Sequence, residues 1–527
     1  MTDVIVIGGG LNGLVAAAVL ARAKRSVVLL EAGPAVGGAA ATSEFAPGFR
    51  GPAFSHALGP LSRDVVKALR LDRSRAVQFV TPEPSLTSID TGGRTLVFHR
   101  DPVLTAASIN QFSPHDAGRW REFLQSAHRV AGVLAMLDRR RPPDVDVTSR
   151  SDAWFLMGIA RAARKLGRRD LSRLIRWAPM SVADLLSEWF DSQVLCAAIA
   201  AHAIAGNPAG PRSAGTGGML LQRLAADPMP AGSGVTMKGG PGALAAAIAD
   251  VARAAGADIR TDVRVTQILI EKGAATGVLL ANGDTLQART ILAATSPKLA
   301  LTGLVAAPDL PPSFVQRMGH VRSRGVTAKI NLALSAMPVF PALADDAATL
   351  GGRILIAPTL DYLERAFDAT KYGEISKEPW LEISIPSVRD DSLAPAGAHV
   401  MSIYAHFVPQ NLRNTDKAQA RAAAWSAVLR ILEVHAPRIA DLIVSRDVMT
   451  PHDLEHRLGA PGGHIFHGET TLDQFWAARP LLGWGRYTTP IEGLFLGSAG
   501  VHPGGGLTGL PGLLAAKAVL DKAKGRR

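Results

Sequence analysis

Cysteine is almost missing from this chain. Among 527 residues there is one, Cys196, which excludes an internal disulfide and catalysis by a protein dithiol. It lies in the apolar run Val194-Leu-Cys-Ala-Ala-Ile and reads as a small core residue. Aromatic residues are also scarce, at 5%, and no nucleic-acid-binding motif accompanies them. The net charge of +12 is therefore not read as a nucleic-acid footprint, and an anionic membrane surface is the macroscopic partner it leaves open. No apolar run reaches transmembrane length. A strand begins at Asp3, so we expect no secretory signal or basic presequence, and a cytoplasmic protein that associates with membranes peripherally if at all.

Apolar residues are plentiful, at 47%, enough for the cores of more than one domain. Near the start, Asp3-Val-Ile-Val-Ile runs into Gly8-Gly9-Gly10-Leu11-Asn12-Gly13 and then into an alanine-rich stretch. This is a strand, a Gly-x-Gly-x-x-Gly turn and a helix. Ser26-Val-Val-Leu-Leu-Glu31 is a second strand that ends in an acid where a ribose-binding carboxylate belongs. In such a unit Gly8 permits the tight turn, Gly10 the close approach of a pyrophosphate, and Gly13 the packing of helix on strand. The helix N-terminus offers unpaired N–H groups to phosphate. Gly37-Gly38 soon after the acid is more typical of chains that bind FAD than of those that bind NAD. A second glycine-dense loop, Gly497 to Gly509, follows a strand and opens a helix over 513–524, which makes a further nest of backbone N–H groups.

The remaining pattern divides the chain. Residues 1–69, 232–295 and 483–527 carry strand–helix–strand grammar and read as three parts of one discontinuous nucleotide-binding domain. Residues 70–231 read as mainly helical, and 296–482 as sheet plus helices, together a second domain. Asn282-Gly283 between apolar runs predicts a hairpin. Leu381-Glu-Ile383-Ser-Ile385 and Met401-Ser-Ile403-Tyr-Ala405-His-Phe407 alternate with period two, as half-buried strands do. Residues 154–169 mix Trp, Met and Arg at helical spacing, which suits either a basic solvated face or an interfacial helix. Gly232-Ser-Gly234 lacks a preceding strand, so no second dinucleotide unit is present to hold NADPH tightly. Oxygen or a quinone is then the expected electron acceptor.

Over nearly its whole length the chain resembles FAD-dependent oxidoreductases related to phytoene desaturase, and most of all the pyridine nucleotide-disulfide oxidoreductase domain-containing protein 2 group. The match is carried by Gly8–Gly13 with Glu31, Gly37-Gly38-Ala39-Ala40, Lys329-Ile-Asn-Leu-Ala-Leu, Gly463-His464-Ile-Phe-His467-Gly-Glu469, Arg479-Pro480 and Gly500-Val-His502-Pro503-Gly-Gly-Gly506. The resemblance implies an α/β fold, with a discontinuous Rossmann-type FAD-binding domain and a mixed α+β substrate domain. It implies that Gly8, Gly10, Leu11, Asn12 and Gly13 touch the pyrophosphate and Glu31 the adenosine ribose. Gly38 and Ala39 would line the cofactor channel, and Val265 and Ala294 would flank adenine. Gly497, Ala499, Gly505, Gly506 and Leu507 would hold the ribitol and the flavin pyrimidine edge.

Two departures stand out. Ala39 replaces an arginine common among relatives, and Gly497-Ser498 replaces a Gly-Asp pair, so a hydroxyl or backbone group must take the ribitol. The implied activity is oxidation of a lipophilic small molecule, of dehydrogenase, desaturase or ketolase type, with the flavin as hydride acceptor. The alternative is an FAD-stabilised regulatory or interaction protein with little turnover. His467 and His502, in the blocks that would frame the flavin ring, and His202 are the candidate catalytic side chains. Lys238 is a weaker candidate for contact with flavin or substrate. His464 and His467 have no companion ligands at metal spacing, so no metal site is expected.

Overall fold

The computed structural model describes residues 2–73, 77–145, 149–343, 346–413 and 415–525. Strand β1 (Thr2–Ile7) leads through the glycine turn into helix α1 (Leu11–Arg22), which returns the chain to β2 (Val27–Leu30), parallel to β1. These strands read as continuous apolar runs because both faces are covered. Strand Asp258–Arg260 extends the sheet beyond β2, and Thr285–Ala293 pairs with the other side of β1. The long strand Thr285–Ala293 is shared. Its first residues pair antiparallel with Ala274–Leu280, and its last three pair in parallel with Leu494–Leu496. One sheet thus draws strands from the start, the middle and the end of the chain. The predicted Asn282-Gly283 turn joins Ala274–Leu280 to Thr285–Ala293, with Gly283 at φ +90° and Asn282 Oδ1 accepting from the Asp284 N–H.

Close packing sets the geometry of the first turn. A Cβ on Gly13 would lie 2.0 Å from the Gly8 carbonyl oxygen, so only glycine lets α1 sit this near to β1. The C-terminal helix Leu510–Ala523 approaches α1 equally closely, since a Cβ on Gly512 would lie 2.0 Å from the Asn12 carbonyl oxygen. This helix begins three residues before the expected 513, with Pro511 in its first turn.

The second sheet has the order Ile443–Met449, Thr327–Leu334, His399–His406, Leu381–Ser384, Arg353–Ile356, Leu86–Ile89, Thr95–Phe98. Its last two strands fall in the segment expected to be mainly helical. Leu86–Ile89 is four residues long and buried on both faces, so it has no period-two signature to read. One face of the sheet, with Ile330, Leu332, Ile383, Met401 and Ile403, packs on Trp425, Val428 and Leu432 of the helix Lys417–His435. The opposite face presents Lys329, Glu382, Ser402, Tyr404 and His406 at the alternate positions. The period-two alternation is therefore present, but its polar side is not solvated. It forms the wall of an internal cavity.

The helices Pro114–Asp138, Gln193–Ile204 and Thr216–Ala226 cover the remaining part of that face with an aromatic core of Trp120, Phe123, Trp177, Trp189 and Phe190. The basic, apolar stretch at 154–169 spans two helices, Arg150–Lys165 and Gly167–Trp177, broken at Gly167 with φ +75°. Both acids of this pair are buried, Asp152 against Arg486 and Asp170 against Arg129. Trp154, Met157 and Ile175 are exposed beside arginines. Among the described residues, no helix is long and apolar enough to cross a membrane.

Candidate functional site

A cavity of about 910 Å³ lies between the two sheets. Segments far apart in sequence line it. At the first sheet are Gly8, Gly10, Leu11, Asn12, Glu31, Gly38, Ala39, Val265 and Ala294. Ala499, Gly505, Gly506, Leu507 and His467 also line it, with His202 and Arg223 from two helices and Arg353, Glu382, Tyr404 and His406 from the second sheet. Of the residues singled out in the sequence, Gly13, Gly497 and His502 are not in its lining. Gly13 is spent on packing against Gly8, and Gly497 lies against Leu292 and Ala515, where a Cβ would sit 2.8 Å from the Leu292 side chain.

At the first sheet the residues fit a dinucleotide. A Cβ on Gly10 would meet nothing within 4 Å, so the space in front of its backbone is open. Helix α1 starts at Gly10 with no side-chain cap, leaving its first N–H groups for an anion. The Glu31 carboxylate is held in place by the Gly9 N–H at 2.6 Å and the Gly33 N–H at 2.8 Å. The paired glycines stack their loop on this turn: the Gly37 N–H donates to the Gly9 carbonyl at 2.8 Å, and a Cβ on Gly38 would lie 3.2 Å from Gly10 Cα. The second helix N-terminus, at Gly509, is already engaged. The Gly512 N–H donates to Asn12 Oδ1 at 3.4 Å and the Leu510 N–H to Thr508 Oγ1 at 3.3 Å. The Asn12 side chain thus ties two helices together, while its backbone remains in the first turn of α1.

Arg479 organises the loops between the two sheets. Its buried guanidinium donates to the carbonyls of Glu469, Gln474, Phe466, Gly468 and Ala499. The loop that carries His467 is thereby fixed to the loop that carries Ala499. Phe466 packs on Gly505, where a Cβ would lie 2.1 Å from the ring. The Ser498 hydroxyl accepts from the Gly500 N–H at 3.1 Å and does not line the cavity, so the backbone of Ala499 and of 505–507 is what this region presents.

His502 is a correction to the sequence reading. It is fully buried away from the cavity, and its Nε2 lies 3.1 Å from both the Leu137 and Arg140 carbonyls, so it joins the C-terminal loop to the helix Pro114–Asp138. Burial lowers it to about 4. His467 and His202 do line the cavity. Burial, with the charge of Arg479, lowers His467 to about 4; burial, with the charges of Arg223 and Arg353, lowers His202 to about 3. Both are neutral near pH 7, and neither is poised to exchange a proton there. Lys238 is exposed and outside the cavity, its backbone N–H donating to the Gln78 carbonyl. The Cys196 thiol is buried, which raises it to about 12 and leaves it inert.

The wall on the second sheet was not identified from the sequence. Glu382 sits between Arg353 Nη1 at 3.1 Å and His56 Nε2 at 2.9 Å. Burial works against its charge, but the Arg353 guanidinium and the bond from His56 outweigh it and hold the carboxyl well below its usual range. The network continues through Ser402, which meets both His56 and Lys329. Arg353 also donates to the Ala231 and Gly232 carbonyls at 2.5 and 2.6 Å, which gives the Gly232-Ser-Gly234 loop its role. The signal for these residues was the polar half of the alternating strands, which ordinarily marks a solvated face.

Asp138, the last residue of its helix, also lines the cavity. Its Oδ1 is buried without a partner among the described residues, and burial raises the carboxyl to about 7. No sequence pattern distinguishes it from a surface acid at a helix end.

The sequence profile of the flavin containing amine oxidoreductases matches residues 11–446. Pyridine nucleotide-disulfide oxidoreductase domain-containing protein 2 of Rattus norvegicus is 31% identical over 546 aligned residues, covering 99% of this chain and 94% of its own. A phytoene desaturase (neurosporene-forming) of Cereibacter sphaeroides is 29% identical over 300 residues, 55% of this chain and 54% of its own. Among solved structures, an oxidoreductase from Methanosarcina mazei shares the fold, with a TM-score of 0.61 at 16% identity over 99% of this chain and 100% of that one.

The two glycines of the turn separate packing from binding. Gly13→Ala forces the helix off the strand and is expected to lower stability by about 2 kcal/mol or more, with loss of bound flavin. Gly10→Ala, which meets open space, is expected to leave the melting temperature of flavin-free protein unchanged and to weaken FAD binding at least tenfold. Melting curves and flavin titrations of both variants check this. Unchanged FAD affinity in Gly10→Ala would place the pyrophosphate elsewhere.

Asp138 gives a pH test. Its folded value lies above the unfolded one, so its contribution to stability is lost as pH rises from about 4 through about 7. Asp138→Asn is expected to stabilise the protein by about 2 kcal/mol at pH 8 and by less than half of that at pH 5. An equal gain at both pH values in thermal unfolding would contradict the raised carboxyl.

Proposed function

The chain belongs to the flavin containing amine oxidoreductase family, its cofactor is FAD, and we propose that it oxidises a C–H bond of a small organic molecule bound against the polar face of the second sheet. Bound FAD supplies the acceptor for the two electrons and the hydrogen removed. The observation that carries this reading is the continuity of the cavity. The turn at Gly10 and Glu31, the loops at Ala499 and Gly505 and the wall at Glu382 and His406 all line one space.

Each part has a task. The first turn of α1 and Glu31 would hold the phosphates and ribose, and the backbone at Ala499, Gly505 and Leu507 would hold the flavin. The buried loops around Phe466 and His467 exclude water from the reacting carbon. The wall at Arg353, Glu382 and His406 gives the substrate a fixed polar surface, since its histidines stay neutral and its carboxylate stays ionised. A dedicated base is not required for this chemistry.

An entirely apolar substrate would leave this wall unanswered. The lining supports a molecule with an apolar part, against Met136, Met219 and Phe475, and a polar group against the sheet. The exposed Trp154 and Met157 among arginines support collection of such an amphiphile from an anionic lipid surface. Sedimentation with anionic vesicles, lost at high salt or on Trp154→Ala with Met157→Ala, is the expected result; equal binding to neutral vesicles would count against it.

The central test is anaerobic. Purified protein should carry or take up FAD, and a cognate substrate should bleach the flavin absorbance, with recovery on admitting oxygen or a quinone. A chain that cannot be loaded with FAD sinks the reading. A loaded flavin that no organic donor reduces favours the interaction-protein alternative.

A further inference from the structure

The geometry points to Arg223 as the residue that selects substrate, by binding an anionic oxygen group such as a carboxylate. This deepens the oxidoreductase reading above and rests on it. Arg223 lies on the helix Thr216–Ala226 and lines the cavity. Its guanidinium sits 4.7 Å from the centroid of the Phe466 ring, and that ring packs on Gly505. The cation is thus one ring away from the loop expected to hold the flavin. Its Nη2 donates to the Ala205 carbonyl at 2.8 Å, and among the described residues no carboxylate is in ion-pair contact with it.

The neighbouring cations are already occupied. Arg353 is bound by Glu382 and two carbonyls, Lys329 meets Ser402 and lies over the Tyr404 ring, and Arg479 is caged by five carbonyls. A guanidinium has five N–H donors, and Arg223 uses few of them inside the protein. An unpaired charge removed from bulk water is costly until a counter-charge arrives. Burial lowers Arg223 only to about 10, so it remains a cation at neutral pH.

The surroundings ask for acceptors. The Nε2 atoms of Gln222 and His464 are buried without partners among the described residues, and His464 Nδ1 accepts from the Phe466 N–H, so its Nε2 carries the proton. A neutral imidazole and an amide NH₂ both donate, and an oxyanion is acceptor-only. The one acid of the wall, Glu382, has its oxygens taken by Arg353 and His56. At Arg223 itself a cationic amine would meet like charge, with Glu382 already paired, whereas a carboxylate would form the forked pair that a guanidinium favours.

The test uses the FAD-loaded protein and matched neutral and anionic probes: benzoate against benzamide, and octanoate against octanamide, each titrated by its perturbation of the flavin visible spectrum. The carboxylates are expected to bind at least tenfold more tightly than the amides. Arg223→Gln should bring each pair within twofold while FAD content and reduction by dithionite are retained, and Arg223→Lys should keep part of the preference. Equal binding of acid and amide by the unaltered protein, or no perturbation by either, overturns the assignment. So does a preference that survives in Arg223→Gln, or a variant whose flavin midpoint potential moves while the preference stays, which would assign Arg223 to the flavin. If the unaltered protein does not take up FAD, the oxidoreductase reading itself falls; if it is loaded and reducible but indifferent to carboxylates, only this inference does.

Discussion

Burial of the charge on Glu382 is the constraint around which the inner cavity is built. A carboxylate removed from water is tolerated only when it is paired and hydrogen-bonded. Arg353 and His56 supply both, at 3.1 and 2.9 Å. Arg353 in turn needs the carbonyls of Ala231 and Gly232, which brings the 232–234 loop onto the sheet. His56 reaches Ser402, and Ser402 meets Lys329. One ionic centre therefore joins the segment after the first nucleotide-binding strands to four strands of the second sheet. It also leaves Arg353 satisfied from within, whereas Arg223 has no carboxylate in ion-pair contact among the described residues.

Arg479 does the corresponding work for the loops. Among the described residues its charge meets no carboxylate. It is stabilised by carbonyl dipoles from 466–474 and from Ala499. Five acceptors on one rigid fork fix two glycine-rich segments that would otherwise have many conformations. The backbone at Gly505 then lies against Phe466, and Phe466 under Arg223. The loops at 466–474 and Gly505 are thus joined to each other and to the helix Thr216–Ala226 through these two arginines.

The parts read correctly from the sequence were those whose signal is local. The strand, turn, helix and acid from Asp3 to Glu31 announce themselves because tight backbone approach demands glycine at fixed spacing, and the distances at Gly13 and Gly8 bear out that demand. The hairpin at Asn282-Gly283 is local in the same sense. His502 misled because its neighbours are glycines of the cofactor loop, yet its ring turns to the carbonyls of Leu137 and Arg140, more than 360 residues away. Leu86–Ile89 was missed because a short strand buried on both sides carries no periodicity.

The amino-acid sequence by itself determined that this chain holds a dinucleotide and narrowed it to FAD, because backbone sterics and helix ends impose residue types at fixed spacings. It also determined which strands have one apolar and one polar side. Only the tertiary structure decided what the polar side faces. Alternation is set within a strand, but whether Glu382, Tyr404 and His406 meet bulk water or a cavity depends on helices and loops brought from elsewhere in the chain. The same long-range packing raised the Asp138 carboxyl, lowered His202 and His467, and left Arg223 with no carboxylate in ion-pair contact among the described residues.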